Sequence, residues 1–202
     1  EIQRTINRGL HAPPTKAPVV VDGKLDDWDL SGAIVSCKDV GSLLEVESCR
    51  SAAMWDDKGI YLSFRFRDPT PMVNHIDPVT MPGNGWRSDC VQLRLNMAGF
   101  VSHVDAWYHT GGQKPAMTIG YGRVKVKDGG QPKVDRPKYP EALGAKQAFR
   151  MDDDKTGYTQ EMFIPWEVIT LDGKMPPPDA DLRLGLEMFW GDITGQGWPR
   201  SR

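Results

Sequence analysis

The stretch Gly59-Ile60-Tyr61-Leu62-Ser63-Phe64-Arg65-Phe66-Arg67-Asp68 decides the fold of this chain. Ile60, Leu62, Phe64 and Phe66 alternate along it with Tyr61, Ser63, Arg65 and Arg67. Successive side chains of a β-strand point to opposite faces, so a period of two with one apolar face is typical of a half-buried strand. The pattern therefore predicts a strand over Gly59–Asp68.

The same alternation recurs at Asp89–Asn96, where Val91, Leu93 and Leu95 point one way and the residues between them the other. Further strands are predicted at Val19–Val21, Val104–His109, Met117–Val126, Gly157–Ile164 and Leu182–Trp190.

Helical patterns are short and confined to Pro165–Ile169 and Tyr139–Lys146. The chain contains 21 glycines and 16 prolines, which suit the turns between antiparallel strands. The sequence therefore predicts an all-β antiparallel sandwich with little helix.

The 202 residues suit a single domain. Residues 1–18 carry Pro13, Pro14 and Pro18 and are predicted to form an arm or linker, which leaves residues 19–202 for the sandwich. The chain opens at Glu1 without a methionine and stops abruptly at Arg202, so we expect a trimmed chain whose domain is truncated at its C-terminal end.

The charge and the motifs argue against several classes of function. A net charge of −2 is too small to indicate a nucleic-acid partner. No apolar run approaches the roughly 18 residues of a membrane span. The sequence has no Gly-x-Ser-x-Gly elbow, no His-Glu-x-x-His and no phosphate-binding glycine loop, so we expect a protein that is not an enzyme.

Cysteines and acidic runs leave two questions open. Cys37 and Cys49 lie twelve residues apart and could pair outside the cell, or all three cysteines could be thiols in a reducing compartment. The run Asp152-Asp153-Asp154 is a candidate source of calcium ligands, since loop aspartates often bind Ca²⁺ in extracellular sandwiches. Solvated turn residues are the simpler explanation of the same run.

Four segments in order form a frame that resembles the family 9 carbohydrate-binding modules and their DOMON-like relatives. They are Val20-Val21-Asp22-Gly23-Lys24-Leu25-Asp26-Asp27-Trp28, Ala53-Met54-Trp55-Asp56-Asp57-Lys58-Gly59-Ile60-Tyr61-Leu62, Gly85-Trp86-Arg87-Ser88-Asp89-Cys90-Val91-Gln92-Leu93 and Glu161-Met162-Phe163-Ile164-Pro165-Trp166. The resemblance implies a DOMON-like sandwich that is secreted or periplasmic and binds a saccharide without catalysis. It also suggests a module appended to a larger enzyme.

The resemblance also implies a set of binding residues. A tryptophan just before the strand at Asp89–Asn96 forms one wall of the family's aromatic clamp, and Trp86 matches it. The family's glutamate six residues further on is Gln92 here. Arg94 shares the strand face of Gln92, and His103, Asp105 and Glu187 are the remaining candidates for polar contacts with a sugar. The family's second clamp tryptophan has no match at the expected spacing.

Two alternatives remain at this stage. The first is a haem b electron-transfer domain, as in the related γ subunit of ethylbenzene dehydrogenase, with Met72, Met117 and His75 as candidate axial ligands. The segment Pro69–His75 has no role in the sugar-binding interpretation, which keeps this alternative open. The second is a structural or interaction module of a larger enzyme.

Overall fold

The computed structural model describes residues 9–37, 44–121, 136–177 and 179–197 of the chain. Within these ranges the chain forms nine strands in two antiparallel sheets, of order β1-β2-β3-β8-β7 and β6-β5-β4-β9. The strands are β1 (Ile34–Cys37), β2 (Ser48–Trp55), β3 (Gly59–Arg67), β4 (Cys90–Met97), β5 (Phe100–His109), β6 (Lys114–Tyr121), β7 (Lys146–Met151), β8 (Gly157–Pro165) and β9 (Leu182–Phe189).

The two sheets enclose the main core with alternate side chains of their central strands. Leu62, Phe64 and Phe66 of β3 face Val91, Leu93 and Leu95 of β4 in one apolar cluster. Each of these six side chains is buried, as the period-two pattern requires. The predicted all-β antiparallel sandwich is confirmed.

Helix is scarce in the described part of the chain. Trp166–Ile169 forms one α-helical turn, α1, and Pro140–Leu143 forms a 3₁₀ turn, close to the two predicted helical segments. Two further 3₁₀ turns lie at Leu30–Gly32 and Gly85–Arg87. No helix among the described residues is long and apolar enough to cross a membrane.

The predicted strand at Val19–Val21 is wrong, and β1, β2 and β7 were not predicted. Val19 and Val21 instead pack with Trp28 on the outer face of β2 and β3. That packing explains why β2 escaped notice, because both of its faces are covered and its sequence shows no alternation. The predicted strand at Met117–Val126 begins at Lys114, and residues 122–126 lie outside the described residues.

The described part of the predicted arm lies against the sandwich. Pro14 forms a parallel bridge with Trp55, and Leu10 and Ala12 pack on the main core. The domain boundary at residue 19 stays a prediction. Residues 1–8 and 198–202 lie outside the described residues.

The Cys37–Cys49 disulfide that the sequence left open is not present. Cys49 lies opposite Ser36 in the β1–β2 register, while Cys37 lies opposite Ser48. The two cysteine side chains therefore point to opposite faces of the sheet, where their sulfurs cannot meet. Cys49 is buried in the core beside Ser51, and burial raises the pKa of its thiol to about 12.

A buried carboxylate joins the first and fourth segments of the family-like frame. Oε2 of Glu161 on β8 accepts hydrogen bonds from the backbone N–H groups of Asp22 and Gly23, at 2.9 and 2.8 Å. Its Oε1 accepts the indole N–H of Trp28 at 2.9 Å. Three donors converging on one carboxylate fix the turn at Asp22-Gly23 to the sheet, so these motif residues have a structural role.

The second segment meets the fourth in a similar way. The Asp56 carboxylate accepts the backbone N–H groups of Lys58 and Gly59 and the hydroxyl of Tyr61. The indole of Trp166 donates to the backbone oxygen of Asp56 at 3.0 Å. These contacts close the β2–β3 hairpin and seat α1 against it.

Glu161→Gln is expected to lower the free energy of unfolding by about 1.5–3 kcal/mol, the range for hydrogen bonds to a charged acceptor. The new amide must turn its NH₂ group toward an existing donor, whichever way it is oriented. Urea unfolding followed by tryptophan fluorescence measures the change. Glu167→Gln, at an exposed position of α1, is the matched control and should shift stability by less than about 0.5 kcal/mol. Equal effects of the two variants would contradict the structural role of Glu161.

Candidate functional site

The outward side of the β6-β5-β4-β9 sheet carries a set of polar side chains, here called the polar face. Gln92 lies at its centre, opposite Asp105 on one neighbouring strand and Glu187 on the other. Thr118 extends this row beyond Asp105, and Arg94 and His103 pair in the adjacent row. Five of the six residues predicted as saccharide ligands are therefore brought together: Gln92, Arg94, His103, Asp105 and Glu187.

These side chains form two groups, Gln92–Asp105–His103 and Arg94–Glu187. Nε2 of Gln92 donates to Oδ1 of Asp105 at 2.6 Å. Nε2 of His103 lies 3.6 Å from the same oxygen. Arg94 donates from its guanidinium to Oε1 of Glu187. The two hydrogen bonds fix the orientations of Gln92, Asp105, Arg94 and Glu187 before any ligand binds. The separation between His103 and Asp105 is too long for a hydrogen bond.

Burial differs sharply across the polar face. Gln92 and Asp105 are only 5% and 4% exposed. The side chains of His103, Arg94 and Glu187 are 39%, 48% and 33% exposed. The face thus has a buried polar centre and an accessible charged rim.

The pKa of Asp105, at the centre of the polar face, departs from the ordinary value of an aspartate. Burial raises the pKa of Asp105, while the hydrogen bond from Gln92 and the charges of His103 and Arg94 oppose that rise. Ionisation of a carboxyl group with a raised folded-state pKa lowers the stability of the folded protein. Buried ionisable groups of this kind are concentrated at functional sites.

Trp86 borders the polar face from the 3₁₀ turn at Gly85–Arg87. It is partly buried and packs on an apolar cluster formed by Ile76, Cys90, Trp107, Ala116 and Phe189. A Cβ at Gly85 would lie 2.4 Å from the ring of Trp107, so only glycine allows this close approach. Trp86 therefore serves as a packed edge of the sandwich end, where it meets Cys90 at the start of β4.

The sequence did not reveal what holds the Trp86 turn in place. The amide of buried Asn74 donates to the backbone oxygens of Gly85 and Asp89, at 2.8 and 3.0 Å. The hydroxyl of Ser88 donates to the backbone oxygen of Val73 at 2.7 Å. Pro69–His75, which the sugar-binding interpretation left unexplained, thus supports the loop that carries Trp86. Thr118, whose hydroxyl accepts the N–H of Gly83, was also missed.

Asp89 is the anchor between these loops and β4. Its carboxylate accepts the N–H of Val73 at 2.9 Å and the N–H of Gly191 at 2.6 Å. Burial and the nearby Asp68 carboxylate raise the pKa of Asp89. Asp89 therefore ties three separate segments together immediately before β4.

The candidate haem ligands occupy different environments. Met117 is buried in the main core, and Met72 packs against the same core. His75 is exposed on a loop, where its backbone N–H donates to Gly195. None of the three lines the large cavity beside β9. The haem alternative stays a prediction.

In the Asp152–Asp154 run, proposed as a source of calcium ligands, two carboxylates accept hydrogen bonds from nearby side chains and backbone. Asp152 accepts the guanidinium of Arg65 at 2.7 Å, and Asp154 accepts the N–H and hydroxyl of Thr156. Within the described ranges, no group of three or more His, Cys, Asp or Glu side chains is placed to hold a metal ion. Calcium binding also stays a prediction.

A large cavity lies away from the polar face. It has a volume of about 700 Å³ and opens between β9 and the β1–β2 edge of the other sheet. Its walls are mainly aliphatic, with Leu182, Leu184 and Leu186 on one side and Ile34 and Ala53 on the other. A sugar needs many hydrogen-bonding partners, so this cavity does not suit one.

Solved structures share this arrangement of strands. Two are of a family 9 carbohydrate-binding module from Caldicellulosiruptor kristjanssonii, one in complex with glucose and one with cellotriose. The glucose complex is 16% identical, with 92% of this chain and 81% of that chain covered and a TM-score of 0.53. The cellotriose complex is 15% identical, with 92% and 80% covered and a TM-score of 0.54.

The chain has the family 9 carbohydrate-binding module fold. No protein-family model and no curated protein sequence matches the chain. The family-9-like fold expected from the four segments is confirmed, and a DOMON-like assignment is compatible with it.

Asp105→Asn is expected to stabilise the family-9-like domain near neutral pH. The folded-state pKa of Asp105 lies above its unfolded value, so stability falls as the pH rises above the unfolded pKa, and the loss is complete above the folded pKa. Below the ordinary aspartate pKa both states of the wild type are protonated, and the stability difference should disappear. Asparagine keeps an oxygen that can accept from Gln92.

Urea unfolding at neutral pH and at about pH 3, below the unperturbed aspartate pKa, measures this difference. Asp153→Asn, at an exposed turn position, should show no such pH-dependent gain and serves as the control. A destabilised Asp105→Asn protein at neutral pH would contradict the desolvated environment described here.

Proposed function

We propose that this chain is a non-catalytic module that binds a saccharide on its polar face, with Trp86 as the stacking surface. The observation that carries the proposal is the convergence of five separately predicted residues on one sheet face, beside a partly exposed tryptophan. These residues come from three strands, β4, β5 and β9, and their sequence positions are far apart. The fold shared with saccharide-bound modules supports the same function.

The chemistry of the polar face suits a pyranose. The C–H groups of a sugar ring stack on the flat face of an indole, which Trp86 offers at the border of the face. Sugar hydroxyls both donate and accept, so they can bond to carboxylate, amide and guanidinium groups together. At the accessible rim, Glu187 supplies acceptors and Arg94 supplies donors. Gln92 and Asp105 are nearly buried and offer a ligand only the small part of their side chains that is exposed.

The two carboxylates of this face are poorly arranged for glycoside hydrolysis. Asp105 and Glu187 lie on either side of β4, so their backbones are separated by two strand spacings, about 10 Å. Asp105 accepts from Gln92, and Glu187 accepts from Arg94. That spacing is near the roughly 6.5–9.5 Å of inverting glycosidases, so distance does not decide the question. The burial of Asp105 and the hydrogen bond from Arg94 to Glu187 leave neither carboxylate ready to flank a scissile bond, which favours binding without catalysis.

The cellular setting follows from the proposed function. Saccharide polymers are met mainly outside the cytoplasm, so we place this module in a secreted or periplasmic protein. A small non-catalytic binding domain is useful when it concentrates an attached activity on a polymer, because linkage raises the effective concentration. Attachment to a larger enzyme belongs to the same proposal.

Trp86→Ala is expected to weaken binding of glucose and cellotriose by about 1–3 kcal/mol, the range for truncating an aromatic anchor. The loss arises because the stacked ring surface disappears while the polar contacts remain. Isothermal titration calorimetry of the folded variant measures it. Trp55→Ala is the matched control, since Trp55 is a partly exposed tryptophan on the other sheet.

The affinities of the two variants show which sheet carries the binding site. Trp55→Ala should keep the wild-type affinity if the polar face is the site. An unchanged affinity of Trp86→Ala would remove that residue from the site, and loss of binding only in Trp55→Ala would move the site to the other sheet.

A further inference from the structure

Two aspartates meet inside the sandwich, at the end that carries the Trp86 turn. Asp68 follows the last residue of β3, and Asp89 precedes the first residue of β4. They are only 1% and 3% exposed, and their side chains are hydrogen-bonded to each other. An ionised carboxylate can only accept, so a hydrogen bond between two carboxyl groups requires a proton on one of them. The buried pair therefore shares one proton in the folded protein.

Backbone donors indicate which oxygen carries this proton. Both oxygens of Asp89 accept an N–H group, Oδ1 from Gly191 at 2.6 Å and Oδ2 from Val73 at 2.9 Å. Asp68 accepts the N–H of Thr70 with Oδ1 at 2.8 Å, and its Oδ2 is buried. Oxygens that accept N–H groups are best left ionised, so the O–H belongs to Oδ2 of Asp68 and donates to the Asp89 carboxylate.

The titratable groups packed around the pair are neutral. Tyr158 of β8, Cys90 of β4 and Cys49 of β2 are buried, and burial raises the pKa of each. Burial and the charge of Asp68 also raise the pKa of Asp89. Because the two carboxyl groups share a proton, this rise describes the loss of the last proton from the pair as a whole.

Charged residues also occur on the segments that pack against the pair. Arg67 of β3 and His75 of the segment 69–75 are exposed. Asp192, next to Gly191, accepts the N–H and the hydroxyl of Thr194. These residues are the same in every variant used below, so a comparison of variants isolates the titration of the pair.

The shared proton closes the base of the loop that supports the Trp86 turn. Val73, whose N–H is held by Asp89, is followed by Asn74, and the Asn74 amide donates to the backbone oxygens of Gly85 and Asp89. Loss of the proton would leave two negative charges in contact inside the protein, where like charges repel strongly. That repulsion acts directly on the segment that holds the turn in place.

We propose that the proton shared by Asp68 and Asp89 is a pH-sensitive latch that holds the Trp86 turn in its binding arrangement. The latch is closed while the proton is present. Its loss at higher pH separates the two carboxylates and loosens the segment 69–75. The latch itself does not depend on any ligand, whereas its regulation of saccharide affinity rests on the proposed function.

Asp68→Asn tests the latch because it makes the donor permanent. Its NH₂ group takes the place of the O–H, and its oxygen still accepts the N–H of Thr70. The urea midpoint of the wild type should fall from about pH 5 to about pH 9, a range that covers the raised pKa values of buried carboxyl groups. The fall follows because a raised folded-state pKa costs stability once the pH exceeds the unfolded pKa.

Asp68→Asn should lose a clear part of this fall, so that its midpoint overtakes that of the wild type as the pH rises. Asp105 titrates in both proteins and cancels in the comparison. Asp153→Asn, the exposed control, should follow the wild type at every pH.

Asp89→Asn is the matched variant that tests where the proton lies. Its NH₂ group must face the N–H of either Val73 or Gly191, so its urea midpoint should lie below that of the wild type at every pH. Equal behaviour of Asp68→Asn and Asp89→Asn would overturn the assignment of the proton to Asp68.

A nuclear magnetic resonance titration of the isotope-labelled wild type follows the loop directly and needs no variant. The amide signals of Val73 and Gly191 and the indole signal of Trp86 should move along one common titration curve between about pH 5 and about pH 9. In Asp68→Asn these signals should stay in place. Signals that stay in place in the wild type would overturn the latch.

The same titrations with added calcium chloride and with a chelator distinguish a proton from a cation. Neither addition should move the wild-type curve. A rise of the urea midpoint with calcium that Asp68→Asn abolishes would show a cation between the carboxylates and would overturn the proposal.

Calorimetry with cellotriose across the same pH range tests the regulation. The affinity of the wild type should fall as the pH rises, and that of Asp68→Asn should fall less. An equal fall in both proteins would overturn the regulation. Absence of cellotriose binding at every pH would count against the proposed function and leave the latch, which is measured without sugar, intact.

Discussion

The alternation of side chains along β4 is the constraint on which both the core and the candidate site depend. Val91, Leu93 and Leu95 enter the main core, so Gln92 and Arg94 must point outward. A register slip of one residue would bury the polar set and expose the apolar one, which makes the register strongly specified. The same hydrophobic burial that folds the domain therefore also orients the polar face.

Buried polar groups in the loops fix where β4 begins. Asp89 accepts backbone N–H groups from two other segments, and Asn74 donates to Gly85 and Asp89. A polar side chain without partners in such a place would be costly, so these satisfied networks allow few alternative loop arrangements. The Trp86 turn is consequently held beside the polar face before a ligand arrives, which reduces the entropy lost on binding.

Sequence patterns predicted the fold where one sheet face is buried and the other polar. β3 and β4 follow this rule, and their bounds were predicted to within one residue or two. The rule failed for β2, whose outer face is covered by Val19, Val21 and Trp28, because a strand buried on both faces shows no alternation. Val19–Val21 resembled a strand by composition, but packing of the valines against that face took precedence over their β propensity.

The candidate site was predictable in part for a related reason. Gln92 and Arg94 could be assigned to one face from periodicity, whereas their neighbours His103, Asp105 and Glu187 depend on strand pairings that a single sequence does not contain. The resemblance to family 9 modules supplied those candidates. Asn74 and Thr118 act through hydrogen bonds to distant loop backbone, and no local sequence pattern marks such a role.

The most direct test of the central claim is a nuclear magnetic resonance titration of the isotope-labelled protein with cellotriose. The seven tryptophan indole signals report on both sheets of the sandwich. We expect progressive shifts of the Trp86 indole and of the side-chain amide of Gln92, while the indoles of Trp28 and Trp55 stay unchanged. Shifts confined to Trp28 and Trp55 would contradict a saccharide site on the polar face, as would the absence of any shift with glucose or cellotriose.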